Sequence, residues 1–131
     1  MDNNYFASVK EHAQNCFKQL ELLSKQLSER PLTLTEYYAA ERLLQVLIEA
    51  AIGVCKHRVK TLNNQTPTDA YAGFLALQDA GQLSAKELIQ WKKIIGLRNI
   101  LVHDYLKIER NIIENILKQH HYQFVYDFII K

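Results

Sequence analysis

Five polar side chains crowd into eight residues of otherwise apolar sequence. Arg98, Asn99, His103, Asp104 and Tyr105 stand in the run Gly96-Leu97-Arg98-Asn99-Ile100-Leu101-Val102-His103-Asp104-Tyr105. An imidazole, with an ordinary pKa of about 6.5, takes or gives a proton at neutral pH. A guanidinium beside it offers a fixed fork of donors to a phosphate. Together these groups suit cleavage of RNA without a metal. One group assists loss of the ribose 2′-hydroxyl proton, that oxygen attacks the adjacent phosphorus, the guanidinium stabilises the five-coordinate phosphorus, and the 5′-oxygen leaves. Acid–base assistance of this kind contributes about 10² to 10⁴ in rate, and charge stabilisation adds to it. The same residue types also tie down helix ends through hydrogen bonds of Arg98, Asp104 and Tyr105, and spacing alone does not separate the two uses.

Helical geometry sharpens the question. At 100° per residue Arg98 and Tyr105 lie about 20° apart, whereas His103 lies about 140° from Arg98. A regular helix therefore keeps Arg98 and His103 out of one pocket in one chain. Either the helix ends or distorts near Val102 to Asp104, or a second copy across a two-fold axis completes the pocket, and we expect some of both. Asn99 and Asp104 are candidate supporting residues. Asn99 suits orienting the His103 ring or touching phosphate. Asp104 suits fixing the histidine tautomer or, more commonly, capping the following turn. Lys92, Lys93, Lys107 and Arg110 flank the run and are the candidate RNA-phosphate contacts, whose binding would weaken with salt.

The elements that must position these residues are helices. Phe6, Val9, Ala13, Cys16, Phe17, Leu20, Leu23 and Leu27 recur every three or four positions, predicting a helix from Asn3 to Glu29 that Pro31 stops. Thr33 with Glu36 predicts a capping box for a second helix, Leu34 to Leu62. Glu41, Gln45 and Glu49 mark either a solvated side, the default, or a side facing the pocket, and Gly53, mid-helix, implies close approach of a neighbour. A polar loop, Asn63 to Asp69, precedes a short helix, Ala70 to Ala80, with Gly81 as its C-terminal cap. Ser84 with Glu87 caps the helix that carries Leu88, Ile89, Trp91, Ile94, Ile95, Ile100 and Leu101 on its apolar side. One last helix is expected over Ile108 to Ile130. With 131 residues, 4 glycines, 2 prolines and no alternating strand pattern, the fold class is all-α. The architecture is an antiparallel four- to five-helix up-and-down bundle, one domain over residues 1–131.

Composition excludes other classes. Hydrophobic residues at 48% and charged residues at 23% are globular values. A formal charge of +2 neither marks nor excludes a nucleic-acid binder. Cys16 and Cys55 form no CxxC and are expected as buried thiols in a reducing compartment. Nothing near Met1 resembles a signal peptide, and Leu43 to Cys55 is too short to span a bilayer, so a soluble, cytoplasmic protein is expected. His120 and His121, adjacent on a helix, have no third ligand at a suitable spacing, and no metal or cofactor is expected. His12 and His57 are expected at the surface, and Tyr37, Tyr38, Tyr122 and Tyr126 in packing positions. Lys56, His57, Arg58 and Lys60 either complement the dipole at a helix C-terminus, the commoner use, or contact an RNA backbone.

Arg98-Asn99-x-x-x-His103-x-Tyr105 resembles the R-x4-H-x-Y motif of the HepT-like branch of the HEPN superfamily. Glu41, Arg42, Gln45 and Glu49 on the second helix, the mid-chain loop with its short helix, and the lead-in Gly96 to Asn99 extend the resemblance over most of the chain. The resemblance implies a homodimeric helical bundle and a ribonuclease toxin, cutting tRNA or mRNA, paired with a minimal nucleotidyltransferase (MNT) antitoxin. It implies that Arg98 and His103 are the catalytic pair and that Tyr105 is where the partner attaches AMP. An AMP group there would place a phosphodiester and a purine beside Arg98 and block the cleft. The competing expectation is a non-catalytic helical module that binds such a nucleotidyltransferase.

Overall fold

The computed structural model describes residues 3–131, the side chain of Tyr105 excepted. It contains six helices: α1 (Asn3–Glu29), α2 (Leu34–Asn63), α3 (Ala70–Asp79), α4 (Ala85–His103), α5 (Arg110–Lys118) and α6 (Tyr122–Ile130). A 3₁₀ turn, Tyr105–Lys107, links α4 to α5, and the described residues contain no strand. No described helix is long and apolar enough to cross a membrane.

Local chemistry sets the starts of the helices. Thr33 Oγ1 accepts from the Glu36 amide at 3.1 Å, and Glu36 accepts from the Thr33 amide at 2.8 Å. Ser84 and Glu87 repeat the exchange at 3.1 and 2.9 Å, so the two capping boxes open α2 and α4 as expected. Asp69 caps α3 by accepting from the Ala72 amide at 2.8 Å. Arg30 forks both oxygens of Glu36 at 2.8 Å each, tying the end of α1 to the start of α2.

The long α2 is the central element, packing against α1, α3, α4, α5 and α6. Leu44, Leu47, Ala51, Val54 and Cys55 on it are sealed or nearly so. Its Gly53 lies under Tyr5: a Cβ there would sit 2.7 Å from the Tyr5 hydroxyl oxygen, so α1 and α2 approach closely at that point. Tyr5 also stacks on His57 with ring centroids 3.9 Å apart, so His57 is half-buried packing and not the surface residue expected. Cys16 and Cys55 are free and buried, and burial pushes the Cys55 thiol up to about 12, which keeps it protonated.

The C-terminal region departs from the expected single helix. The chain breaks after Lys118, where His120 takes a left-handed backbone (φ 54°), and α6 restarts at Tyr122. The break is held from α1: Tyr122 donates its hydroxyl hydrogen to Glu21, and His120 Nδ1 lies 2.8 Å from the Tyr122 oxygen and 3.2 Å from Glu21 Oε1. Ser24 on α1 donates to the Leu117 carbonyl at 2.8 Å. Tyr122 and Tyr37 are buried as expected, while Tyr38 is exposed. Arg58, beyond any dipole effect, donates to the Phe128 carbonyl at 3.0 Å and stands 4.5 Å over the Phe128 ring.

The Arg30 fork and the Thr33 amide hold the Glu36 carboxyl down at about 2, from an ordinary 4.5. A depressed carboxylate stabilises the fold above its unfolded pKa and loses that contribution as pH falls through the folded value. The melting-temperature difference between wild type and Glu36→Gln should therefore be present at pH 7, shrink as pH falls from about 4.5 to about 2, and vanish below. Thermal melts across that range check it, and a difference independent of pH would refute the linkage.

Candidate functional site

The helix carrying the polar run is clamped at one end and capped at the other. Trp91, sealed from solvent, stacks on Phe74 at 4.1 Å and meets Phe128 edge-on at 5.0 Å, pinning the middle of α4 to α3 and α6. Two turns later comes Arg98, and five residues after that the helix ends at His103. Asp104 terminates it with its amide donating to the Ile100 carbonyl at 2.8 Å, and the Lys107 amide donates to the Asp104 carbonyl at 2.8 Å. Asp104 thus closes α4 and opens the 3₁₀ turn through its backbone, and its carboxylate lies 4.0 Å from the Lys107 ammonium.

This ending revises one angular expectation. Tyr105 starts the 3₁₀ turn outside α4, so the helical angle that would place it beside Arg98 does not apply. The Tyr105 side chain lies outside the described residues. Within α4 the angle between Arg98 and His103 stays at about 140°, because the helix is regular through His103. Arg98 shares the bundle-facing side with Trp91 and Ile95. His103 shares the outward side with Ile89, Gly96 and Ile100, all four within about 60° of one another.

The two groups differ in their surroundings as well. Arg98 is half-buried, and its Nε is sealed with no hydrogen-bond partner. No ion pair forms at its guanidinium among the described residues. His103 and Asn99 are exposed. Ile89 and Ile100, expected on the apolar face, are instead 59% and 40% exposed, and a Cβ added at Gly96 would meet nothing within 4 Å. An apolar strip with a glycine at its centre and a histidine at its end therefore faces outward.

The four flanking cations divide. Lys92 and Lys93 are exposed, with no ion pair among the described residues. Lys107 faces Asp104 at 4.0 Å. Arg110 is engaged as an anchor: it donates to the Leu32 carbonyl at 2.6 Å, approaches Glu114 at 3.3 Å and stands 4.9 Å over the Tyr37 ring. Glu41 and Gln45 on α2 are half-buried and Glu49 is exposed.

Comparison with known proteins gives a consistent picture. The family profile described as Ribonuclease HepT-like matches residues 13–131. The chain is 30% identical over 86 residues to the mRNA nuclease HepT of Shewanella oneidensis, a stretch covering 66% of this chain and 64% of that protein. The match thus spans just under two thirds of that relative's length. In three dimensions the chain is similar to a tri-AMPylated Shewanella oneidensis HEPN toxin solved in complex with an MNT antitoxin, with a TM-score of 0.84 at 24% identity, covering 98% of this chain and 96% of that one. It is also similar to a toxin–antitoxin solved with AMP-PNP, with a TM-score of 0.81 at 23% identity, covering 98% and 97%. These likenesses establish the fold.

An arginine that ties down structure and one held without a partner respond differently to replacement. Arg98→Met keeps the aliphatic packing and removes a sealed, unpaired donor, which costs about 1–3 kcal/mol to bury. The variant should melt at or above the wild-type temperature by differential scanning calorimetry. A loss of about 1–3 kcal/mol would instead mark Arg98 as a structural tie.

Proposed function

The chain belongs to the HepT-like ribonuclease family, and on that premise we propose that it is a metal-independent endoribonuclease toxin of the cytoplasm, active as a symmetric dimer. The observation that carries this reading is the Arg98 guanidinium, its Nε unpartnered, on the same helix as an exposed His103. The sealed Nε is not itself open to a ligand, but the terminal guanidinium nitrogens, with no partner among the described residues, offer a fork of donors that suits a phosphate.

A second copy laid along Ile89, Gly96 and Ile100 supports the chemistry that one chain lacks. Such pairing is isologous, and a two-fold axis placed near the C-terminal end of α4 brings the two His103 rings together at the seam. One imidazole takes the 2′-hydroxyl proton as that oxygen bonds to phosphorus. The other gives a proton to the departing 5′-oxygen, leaving a 2′,3′-cyclic phosphate and a 5′-hydroxyl. Arg98, reaching the rim through its long half-exposed side chain, balances the charge on the five-coordinate phosphorus. Asn99 and Asp104 support the ring and the turn, and Lys92, Lys93 and Lys107 are placed to meet flanking phosphates. Arg110, held by Leu32, Tyr37 and Glu114, sets the position of the turn.

The structurally similar toxin is tri-AMPylated and bound to an MNT antitoxin. We carry both features over to this chain: a minimal nucleotidyltransferase is its partner, and Tyr105 is the residue that receives AMP. Tyr105 lies two residues past His103, at the start of a three-residue 3₁₀ turn. A second reading, a non-catalytic partner subunit, draws support from the angle that keeps Arg98 and His103 apart in one chain.

RNA cleavage in the presence of a chelator separates the readings. Wild type should generate cyclic-phosphate ends, and Arg98→Ala and His103→Ala should each lose at least about 10²-fold in rate with the fold intact by circular dichroism. Gly96→Leu obstructs the seam without touching either group, and should lower cleavage in step with the dimer fraction in sedimentation velocity. Undiminished cleavage by both alanine variants would overturn the catalytic assignment. With ATP and the partner enzyme, intact-mass measurement should show added AMP on wild type and none on Tyr105→Phe. AMP retained by that variant would move the modification elsewhere.

A further inference from the structure

The molecule carries a second feature that the helix-end motif does not use. Where α1 passes the α5–α6 break there is a groove of about 610 Å³, lined by Lys18, Lys25, Lys118, His120, Leu22 and Phe17 among others. Lys18 and Lys25 are seven positions apart on α1, so they lie about 20° apart on one face. Lys118 arrives from the end of α5. None of the three lysines forms an ion pair among the described residues. The acid in the groove, Glu21, is already engaged by Tyr122 and His120. Leu22, 53% exposed, and the half-buried Phe17 give the groove an apolar floor.

This groove is not isolated. A second one, about 560 Å³, runs along α5 and shares Lys118 with the first, with Asn111 and Asn115 on its wall. A third, about 350 Å³, shares Ile112, Ile116 and His121 with the second and reaches Lys93 and Leu97 on α4. Leu97 adjoins Arg98. Three neighbouring grooves that share lining residues thus lie in series between α4, at Lys93 and Leu97, and the lysines at the α5–α6 break, Lys118, Lys18 and Lys25, none of them in an ion pair among the described residues.

Ammonium groups spaced along an apolar-floored track match one ligand chemistry: phosphates at regular intervals joined to flat bases. We propose that the track from Lys93 to Lys18 and Lys25 is an accessory binding tract for single-stranded RNA, holding the strand whose scissile phosphate lies at Arg98 and His103. It rests on the ribonuclease reading for the identity of the polyanion and adds where the rest of the strand lies. Cutting would then favour strands long enough to reach the lysines over short ones.

The test uses full-length protein carrying His103→Ala, so that probes survive, with and without Lys18→Glu, Lys25→Glu and Lys118→Glu together. Fluorescein-labelled oligouridines of about 16 and about 4 nucleotides bracket the site sizes of such tracts. The triple variant should weaken the long probe at least tenfold and lower its log–log salt slope by about 2, as three lost phosphate contacts require. The short probe should bind unchanged. If the glutamate triple fails to fold by circular dichroism, a Lys→Gln triple should give the same pattern with a smaller weakening. Equal weakening of both probes, an unchanged long-probe Kd, or loss of the nucleotidyltransferase partner in place of RNA would overturn the tract. Should protein with His103 intact cut no RNA while the length-dependent loss holds, the tract stands and the ribonuclease reading falls. Should it cut RNA while the triple changes nothing, the tract alone falls.

Discussion

Trp91 is sealed between Phe74, nearly parallel to it at 4.1 Å, and Phe128, edge-on at 5.0 Å, with Phe124 at 5.3 Å completing the cage. Ring contacts of this kind add about 0.5–1.5 kcal/mol each beyond the area they bury. They outweigh the cost of leaving the Trp91 indole nitrogen without a partner. Because the cage grips α4 from α3 on one side and α6 on the other, it fixes both the height and the rotation of that helix. Every later residue of α4 inherits its direction from this point, so the cage decides which side chains turn inward and which are left outside.

Arg98 inherits the inward direction two turns on, yet it is only half-buried there. The cage has passed, α4 packs mainly on α2 and α3, and α5 approaches α2 and α1 instead. Its sealed nitrogen resembles that of Trp91, with one difference: three rings pack on the indole, whereas the guanidinium forms no ion pair among the described residues. Beyond it the chain is fixed again, by the Asp104 backbone bonds and by Arg110 reaching back to Leu32 and Tyr37. The motif therefore occupies a short span strung between two firm points, which keeps its ends placed while leaving its polar groups uncommitted to the fold.

Much of this architecture is legible from local signals. Both capping boxes, the stop at Pro31, the close approach at Gly53 and the buried cysteines depend on residues near in sequence or on simple periodicity, and the structure has them. The family resemblance rests on Arg98, His103 and Tyr105, and the profile match over residues 13–131 bears it out. The break at Gln119 to His121 is not legible, because nothing in that stretch but a non-glycine left-handed residue marks it. Its tie to the rest of the bundle is Glu21, 101 positions from Tyr122. Lys118 and His120 come beside Lys18 and Lys25 only through that break, so sequence spacing reveals the α1 pair and hides the rest. His57 likewise reads as surface until Tyr5 lies on it. Ile89 and Ile100 have apolar side chains but outward directions, and composition carries no information about which way a helix has been rotated by a tryptophan.

The first helix of the chain leans on the last two. Ser24 bonds to the Leu117 carbonyl 93 positions away, α1 packs on α5 and α6, and Ile129 is sealed inside. On a ribosome, α1 meets α2 early, but the side of α1 that faces α5 and α6 waits until those helices are made. The motif on α4 leaves the exit tunnel while that core is still open. A nascent chain stalled short of α6 thus displays Arg98 and His103 on a helix whose cage lacks Phe124 and Phe128, and the cage closes only once α6 has been made.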